Sequence, residues 1–218
     1  MKKLLKTALL LISISTPPLI ANELPKVLII GDSISIGYTP FVAKALKDQA
    51  IVIHHKGNAE HTGTGLQLLE EWLGKTKWDL IHFNWGLWDL CYRHPNSTVE
   101  GKRDKINGTI TTSLEQYEQN LEALVDRLKK TSAKLIWAHT SHVPEGEPGR
   151  FVGDDQKYNE IAARVMKKNG IEINDLHSLT KNFSTELFLG PGDVHYTETG
   201  YARIAGQVTE KISEKLKK

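Results

Sequence analysis

Short apolar runs alternate along this chain with longer segments that have helical periodicity. The apolar runs predict five strands, at residues 26–30, 51–53, 79–83, 133–138 and 171–173. Apolar residues at three- and four-residue steps predict helices at about 40–47, 66–73, 113–128, 155–168 and 200–217. The runs lack polar alternation, which is typical of parallel strands buried on both faces. The pattern therefore predicts an α/β domain in which helices cover both faces of a five-stranded parallel sheet.

Two polar segments, residues 91–112 and 141–153, interrupt this pattern. Both contain Pro or Gly and charged residues, and both are predicted to be loops. Right-handed crossovers place the carboxyl ends of parallel strands at one edge of the sheet, where ligands bind. Because the first segment follows the third strand, we expect it to overhang that edge. A loop of this length is usually functional or mobile.

Residues 1–21 have the layout of a signal peptide. Lysines come first, an apolar run from Ala8 to Ile14 follows, and cleavage is expected after Ala21. The run is too short to span a bilayer as a stable helix, although an N-terminal anchor that is never cut is the alternative. We expect residues 22–218 to form one domain, periplasmic or secreted, with no stable membrane span after signal removal.

The positive net charge of the chain comes from residues 1–21. This segment contains three lysines and no acidic residue, so its removal changes the formal net charge from +2 to −1. A nearly neutral domain has no electrostatic surface for nucleic acid, so we expect no nucleic-acid partner. Cys91 is the single cysteine, which excludes an internal disulfide. No motif around it supports a thiol nucleophile, and a packed side chain is favoured.

Two short segments at opposite ends of the domain carry the candidate chemistry. Gly-Asp-Ser at residues 31–33 follows the first strand, where a serine hydroxyl can point out from the sheet edge. A helix N-cap is the alternative interpretation of this segment. Gly-Asp-Val-His at residues 192–195 precedes the last helix. A serine needs a base to act as a nucleophile, so together the segments predict Ser33 as nucleophile and His195 as general base.

At these segments the chain resembles the SGNH (GDSL-type) hydrolase family. The resemblance covers four ordered blocks, at residues 27–35, 58–63, 85–89 and 193–201. It implies a three-layer α/β/α fold with a central five-stranded parallel sheet of flavodoxin-like type. It also implies that Ser33 is the nucleophile and His195 the base. The oxyanion would be bound by the N–H groups of Ser33 and Gly63.

Two positions depart from the family pattern. The third block usually carries an Asn that donates to the oxyanion, and Trp88 stands in that place. Either the Trp88 indole N–H or Asn84 would have to contribute instead. The last block usually carries an Asp three residues before the His, where this chain has Gly192. Asp193 is the favoured orienting acid; a Ser–His dyad or a backbone carbonyl partner remains open.

Other residues allow two interpretations each. Trp85 and Trp88 follow the third strand and either stack on a sugar ring or acyl chain or simply pack. Arg93 belongs to the basic segment 91–112, which favours an acidic or polar substrate such as a charged saccharide unless it is a solvated face. We expect no metal and no cofactor, because the histidines, at 54, 55, 61, 82 and 94 among others, show no recognised ligand spacing.

These observations predict a serine esterase that acts by a Ser-His(-Asp) mechanism on a small-molecule or oligosaccharide ester. Removal of O-acetyl groups from carbohydrate is the favoured reaction, given the export signal, the aromatic pair and the polar loops. A lysophospholipase or thioesterase acting on longer acyl chains is one alternative. A non-catalytic carbohydrate-binding protein that retains the fold is another, because of the two departures.

Overall fold

The computed structural model describes residues 23–218, so the predicted signal peptide lies outside the described residues. The strands are β1 (Lys26–Ile30), β2 (Ile51–His54), β3 (Leu80–Phe83), β4 (Tyr92–Arg93), β5 (Thr109–Ile110), β6 (Lys134–Ala138) and β7 (Glu172–Asn174). The α-helices are α1 (Ser33–Ala45), α2 (Thr62–Leu73), α3 (Leu114–Lys129), α4 (Asp154–Lys168), α5 (Leu176–Lys181) and α6 (Glu198–Lys217). None of these helices is long and apolar enough to cross a membrane.

Five strands form one parallel sheet in the order β2-β1-β3-β6-β7. The register places Ile30 beside Phe83, and Phe83 beside Trp137, so the central strands end together at one edge. The chain leaves β1 for β2 on one side of it and returns to β3 on the other. Ligand crevices form at such a reversal of strand order, outside the carboxyl ends of the strands. Here that position is the carboxyl edge of β1 and β3.

Helices cover both faces of the sheet, which confirms the predicted α/β fold. One layer contains α1 packed against α6, and the other contains α2, α3 and α4 side by side. Strand β1 is buried from Val27 to Ile30, and Trp85 and Trp137 are among the largest fully buried side chains. Burial of this apolar surface is the main term that stabilises the three layers.

Helix α1 begins at Ser33 and not near Pro40, where the apolar pattern places its start. The first turns of α1 contain β-branched residues, Gly37 and Pro40, all of them weak signals for a helix. Gly37 serves packing, because a Cβ at this position would lie 2.3 Å from the ring of Tyr201 on α6. The close approach of α1 and α6 joins the two ends of the domain that carry Ser33 and His195.

The segment 91–112 is an ordered excursion and not the structureless loop that its polar composition predicts. Strands β4 and β5 pair in antiparallel fashion, with Tyr92 opposite Ile110. The Tyr92 N–H donates to the carbonyl of Gly149 over 2.7 Å, and the Lys105 N–H donates to that of Pro148 over 2.9 Å. These bonds fasten the excursion to the second polar segment, so together they form one wall above the sheet edge.

Candidate active site

Ser33 is the first residue of α1, directly after β1. Asp32 is the helix N-cap, and its carboxylate accepts a hydrogen bond from the Ile34 N–H over 3.0 Å. The capping role therefore belongs to Asp32, which leaves the Ser33 hydroxyl available. The helix N-terminus also favours negative charge near Ser33.

The structure brings together the two residues predicted as nucleophile and base. Ser33 Oγ lies 2.8 Å from Nε2 of His195, across 162 positions of sequence. Nδ1 of His195 lies 2.7 Å from Oδ1 of Asp193. Because an ionised carboxylate only accepts, Nδ1 carries the proton and donates it to Asp193. Nε2 then holds the lone pair that accepts the Ser33 O–H.

Asp193 reaches the imidazole through a tight turn. Its Oδ1 also accepts from the backbone N–H of His195 over 2.9 Å, so one oxygen takes two hydrogen bonds from the same residue. Gly192 has a φ of +70°, which L-residues with side chains rarely adopt. A Cβ at Gly192 would lie 2.5 Å from the carbonyl oxygen of Gly146. The position where an acid is expected therefore accepts only glycine, and the acid stands one residue later.

Electrostatics keep Asp193 in its charged form. Burial acts to raise the pKa of Asp193, but the hydrogen bonds from the backbone and imidazole of His195 outweigh it and hold the pKa below its ordinary value. The charge of Arg103 acts in the same direction. The side chains of His195 and Asp193 are 35% and 37% exposed, so the pair is partly open to solvent.

Two of the predicted oxyanion donors are committed elsewhere. The Gly63 N–H donates over 3.1 Å to Nδ1 of His61, the N-cap of α2. Asn84 is buried, and its side-chain amide donates over 2.8 Å to the carbonyl of Ala138. The structure therefore does not bring Gly63 or Asn84 to the cleft as free donors.

Asn58, which the sequence interpretation did not single out as a site residue, lines the cleft together with Ser33 and Trp88. Its Oδ1 accepts from the Glu60 N–H over 2.8 Å, which fixes the side chain and leaves the amide N–H groups without an acceptor among residues 23–218. The only sequence signal for Asn58 is its place four residues after β2, in the second block of the resemblance. The Trp88 indole N–H also lacks an acceptor in this part of the chain.

The two tryptophans after β3 have different surroundings. Trp85 is fully buried, and its indole N–H donates over 3.2 Å to the carbonyl of Ala59. The prediction that Trp85 contacts substrate is therefore corrected: it is a core residue beneath the site. Trp88 is half-buried and lines the cleft, with the guanidinium of Arg93 4.4 Å from its ring centroid.

The cleft has a volume of about 220 Å³. Its floor is Ser33 and His195, and its walls come from the turn after β3 and from the two polar segments. Three arginines, Arg93, Arg103 and Arg150, also line it. Only two of its lining residues, Leu87 and Val194, have aliphatic side chains.

The GDSL-like Lipase/Acylhydrolase family matches residues 29–203. The chain belongs to this family. It is therefore a hydrolase of the lipase and acylhydrolase type, as the four blocks imply, and the Ser33–His195 pair falls inside the matched range. No curated protein sequence matches the chain.

Solved structures share this family fold at low sequence identity. A lipase/acylhydrolase from Enterococcus faecalis aligns with a TM-score of 0.71 and 19% identity, over 88% of this chain and 96% of its own. The acetyl xylan esterase AlAXEase aligns with a TM-score of 0.67 and 18% identity, over 86% and 99%. A GDSL-like lipase from Bacteroides thetaiotaomicron aligns with a TM-score of 0.63 and 16% identity, over 87% and 88%. At these identities the likeness extends to the fold alone.

The histidines at 54, 55, 61 and 82 do not form a shared metal site. His54 and His55 stack with ring centroids 4.5 Å apart, and His82 is buried in the sheet beside Asn174. His61 caps α2.

Three other residues, His142, Asp155 and His177, form a cluster whose donor atoms could hold a metal ion. In this structure Oδ2 of Asp155 accepts from both imidazoles, over 3.2 Å and 3.0 Å, and from the Val143 N–H over 2.9 Å. This carboxylate oxygen, at the start of α4, therefore already accepts three hydrogen bonds. These bonds account for the cluster as a structural element, so we assign it no ion.

Proposed function

We propose that this protein is a serine esterase that removes O-acetyl groups from carbohydrate, with Ser33, His195 and Asp193 as its catalytic triad. The observation that carries the proposal is the continuous hydrogen-bond chain from Ser33 Oγ through both nitrogens of His195 to Asp193, over 2.8 Å and 2.7 Å. This geometry is what activation of a serine hydroxyl at neutral pH requires.

The reaction proceeds in two halves. Ser33 Oγ attacks the ester carbonyl while Nε2 of His195 takes its proton, and the imidazolium is stabilised by the Asp193 carboxylate. His195 then returns this proton to the oxygen of the leaving alcohol, and the acyl group stays on Ser33. In the second half, His195 takes a proton from water as the water oxygen attacks the acyl-enzyme. The tetrahedral intermediate that forms collapses with cleavage of the bond to Ser33 Oγ, and His195 returns the proton to this oxygen. The carboxylic acid is released and the Ser33 hydroxyl is restored.

The oxyanion that forms in both halves needs hydrogen-bond donors. We assign this role to the Ser33 N–H at the start of α1 and to the side-chain amide of Asn58. The amide is supported by its position in the cleft and by the Glu60 N–H that holds its oxygen side. The Trp88 indole N–H is the alternative donor.

The composition of the cleft favours a short acyl group on a polar alcohol. A long acyl chain needs an extended groove lined by apolar side chains, whereas the apolar side chains of this cleft are Leu87, Val194 and the ring of Trp88, beside three arginines and Asn58. The half-buried ring of Trp88 is suited to stacking on a sugar. The layout of residues 1–21 supports a location in the periplasm or outside the cell.

Labelling with a fluorophosphonate probe tests the nucleophile. Wild type should label and Ser33→Ala should not. Ser35→Ala is the matched control, because Ser35 also lies 2.7 Å from a histidine, His54, but is buried and cannot meet the probe. Absence of labelling in wild type would favour the carbohydrate-binding alternative.

A comparison of kcat/KM for 4-nitrophenyl acetate and 4-nitrophenyl octanoate tests the preference for a short acyl group. Release of acetate from an acetylated oligosaccharide tests whether the alcohol part of the substrate is a carbohydrate. A higher kcat/KM for octanoate would support the lysophospholipase or thioesterase alternative. Hydrolysis of 4-nitrophenyl acetate without release of acetate from any saccharide would support ester hydrolysis and contradict the carbohydrate substrate.

A further inference from the structure

An excess of positive charge surrounds the Ser33 hydroxyl. Arg93, Arg103 and Arg150 line the cleft that Ser33 and His195 open into. They reach it from different places in the chain: Arg93 from β4, Arg103 from the turn after it, and Arg150 from the segment before α4. Two of these guanidiniums come from segment 91–112 and the third from segment 141–153, and all three line one cleft, which a solvated face of the first segment does not explain.

The carboxylate of Glu147 compensates only part of this charge. Glu147 is fully buried, and its Oε1 accepts from Arg150 over 2.7 Å and from Arg103 over 3.0 Å. Its Oε2 accepts from the Gly149 N–H over 2.7 Å. One carboxylate is therefore shared by two guanidiniums. Since every acceptor oxygen of Glu147 is occupied, it also fixes the positions of both arginines.

Arg93 has no carboxylate partner among the described residues. It donates to the carbonyl oxygen of Gly101 and lies over the ring of Trp88, and both partners are neutral. Its side chain is half-buried, and burial lowers the pKa of Arg93 below its ordinary value. A guanidinium keeps its charge regardless. The charge of Glu60 acts on Arg93 without forming an ion pair, and burial outweighs it. A partly desolvated cation with no carboxylate in contact is costly, which indicates a role beyond structure.

The placement of Arg93 opposite Arg103 reinforces this point. The two residues form an isolated antiparallel β-bridge, so they stand directly opposite each other. Like charges directly opposite each other destabilise a β-ladder. A structure shaped by stability alone would place an acid at one of these two positions.

The acids at the cleft do not neutralise the remaining charge. Glu100 is exposed at the rim, and its carboxylate makes no ion pair within residues 23–218. Asp32 is buried and caps α1 through the Ile34 N–H. Asp193 is charged and interacts electrostatically with Arg103, which therefore has both Asp193 and Glu147 as compensating charges. Arg93 is the arginine of the cleft that no carboxylate contacts within residues 23–218.

We propose that the cleft binds esters that carry a carboxylate, with Arg93 and Arg103 as the residues that recognise it. This inference rests on the proposed esterase function and narrows its substrate class to anionic esters. The planar fork of a guanidinium matches a carboxylate in two-point geometry. The carboxylate belongs either to the alcohol part, as in an acetylated uronic acid, or to the acyl part, as in a dicarboxylic acid monoester.

Two pairs of substrates distinguish these sources. The alcohol arm compares an O-acetylated methyl glucuronoside with the equivalent O-acetylated methyl glucoside. The acyl arm compares the 4-nitrophenyl monoester of adipic acid with 4-nitrophenyl hexanoate. In one of the arms, kcat/KM for the anionic ester should exceed that for the neutral ester by about tenfold or more, since a hydrogen-bonded charge pair contributes on this scale. This ratio should fall on addition of salt.

Substitution of Arg93 tests the assignment of the residue. Arg93→Gln should reduce the anionic-to-neutral ratio about tenfold, to a value near one, and Arg93→Lys should retain part of the preference. Arg203→Gln is the matched control, since Arg203 is exposed on α6 away from the cleft. It should leave the ratio unchanged. Equal kcat/KM values within both arms, or an unchanged ratio in Arg93→Gln, would overturn the inference.

A binding measurement separates this inference from the proposed reaction. In Ser33→Ala the two glycosides, and the two acyl esters, are compared by calorimetric titration. Tighter binding of the anionic member supports the inference even if wild type neither labels nor turns over any ester, an outcome that would count against the esterase alone. Equal binding in Ser33→Ala together with equal turnover would refute the anionic substrate class and leave the esterase intact.

Discussion

Asp193 and His195 are two residues apart, and the same carboxylate oxygen accepts from both the backbone N–H and Nδ1 of His195, over 2.9 Å and 2.7 Å. A single short turn therefore fixes the base, its tautomer and its orienting acid together. The positive φ of Gly192 makes the turn possible. Displacement of the acid by one residue along the chain thus preserves the geometry that the Ser–His pair needs.

Replacement of the acid should leave the fold intact and remove most of the activity. In Asp193→Asn an amide N–H group would face Nδ1 of His195, which favours the tautomer with its proton on Nε2. That tautomer cannot accept from Ser33, so kcat should fall by roughly 10³- to 10⁴-fold. Steady-state kinetics with 4-nitrophenyl acetate measure the loss. A fall of less than about tenfold would indicate a dyad in which Asp193 is dispensable.

The turn itself is sensitive to a single methyl group. In Gly192→Ala the new Cβ would meet the backbone of Gly146, and φ would be strained, so unfolding free energy should drop by about 1–3 kcal/mol. The kcat should fall as well, because the altered turn would move the Asp193 carboxylate away from Nδ1 of His195. Gly190→Ala is the control, since a Cβ there has no neighbour within 4 Å. Equal melting temperatures and activities for the two variants would contradict the assigned role of the turn.

The oxyanion donors can be separated by two substitutions. Asn58→Ala removes the proposed donor, and kcat should fall by about 10²–10³-fold with a smaller change in KM. Trp88→Phe keeps a ring for stacking and removes only the indole N–H, so its kcat should change by less than about tenfold. The reverse order of effects would assign the role to Trp88.

Acid should weaken the fold through Asp155. Burial acts to raise the pKa of Asp155, but hydrogen bonds from His142, His177 and the Val143 N–H outweigh it and hold the pKa well below its ordinary value. A carboxyl whose pKa is lowered on folding stabilises the native state above its unfolded pKa, and the contribution is lost as the pH falls below that value. Denaturant unfolding measured from neutral pH down to about pH 2 should show this loss below about pH 4, the ordinary pKa of an aspartate.

Asp155→Asn should cost about 2–4 kcal/mol at neutral pH and should flatten the acid dependence. The exposed residue Asp48 supplies the control, as Asp48→Asn should change neither quantity measurably. A steep acid dependence retained in Asp155→Asn would show that other groups are responsible.

Local patterns in the sequence were sufficient to predict the sheet. Uniformly apolar runs such as residues 26–30 identify buried parallel strands, because few other structures need them. The N-terminus of α3 was also predictable, since Ser113 and Gln116 have capping-box spacing and the Ser113 hydroxyl does accept from the Gln116 N–H. Ser33, Asp193 and His195 could be predicted for a similar reason: Ser33 follows a predicted strand, and Asp193 and His195 precede a predicted helix.

The remaining features depend on contacts between distant parts of the chain. The burial of Trp85 follows from the carbonyl of Ala59, 26 positions away, and nothing at Trp85 itself signals it. Hydrogen bonds to segment 141–153 order the excursion 91–112, although its own composition predicts a loop. Asn58 becomes a candidate donor only when β2 and β1 lie side by side.

The attachment of the arginine-bearing excursion has an evolutionary consequence. Nucleophile, base and acid are held by α1 and the turn before α6, whereas Arg93 and Arg103 belong to an insertion between β3 and α3 that contributes no strand to the main sheet. With the roles proposed here, selection can therefore change the arginines that recognise a substrate without disturbing the triad that cleaves it. Substrate charge and ester cleavage are then carried by separate parts of the chain.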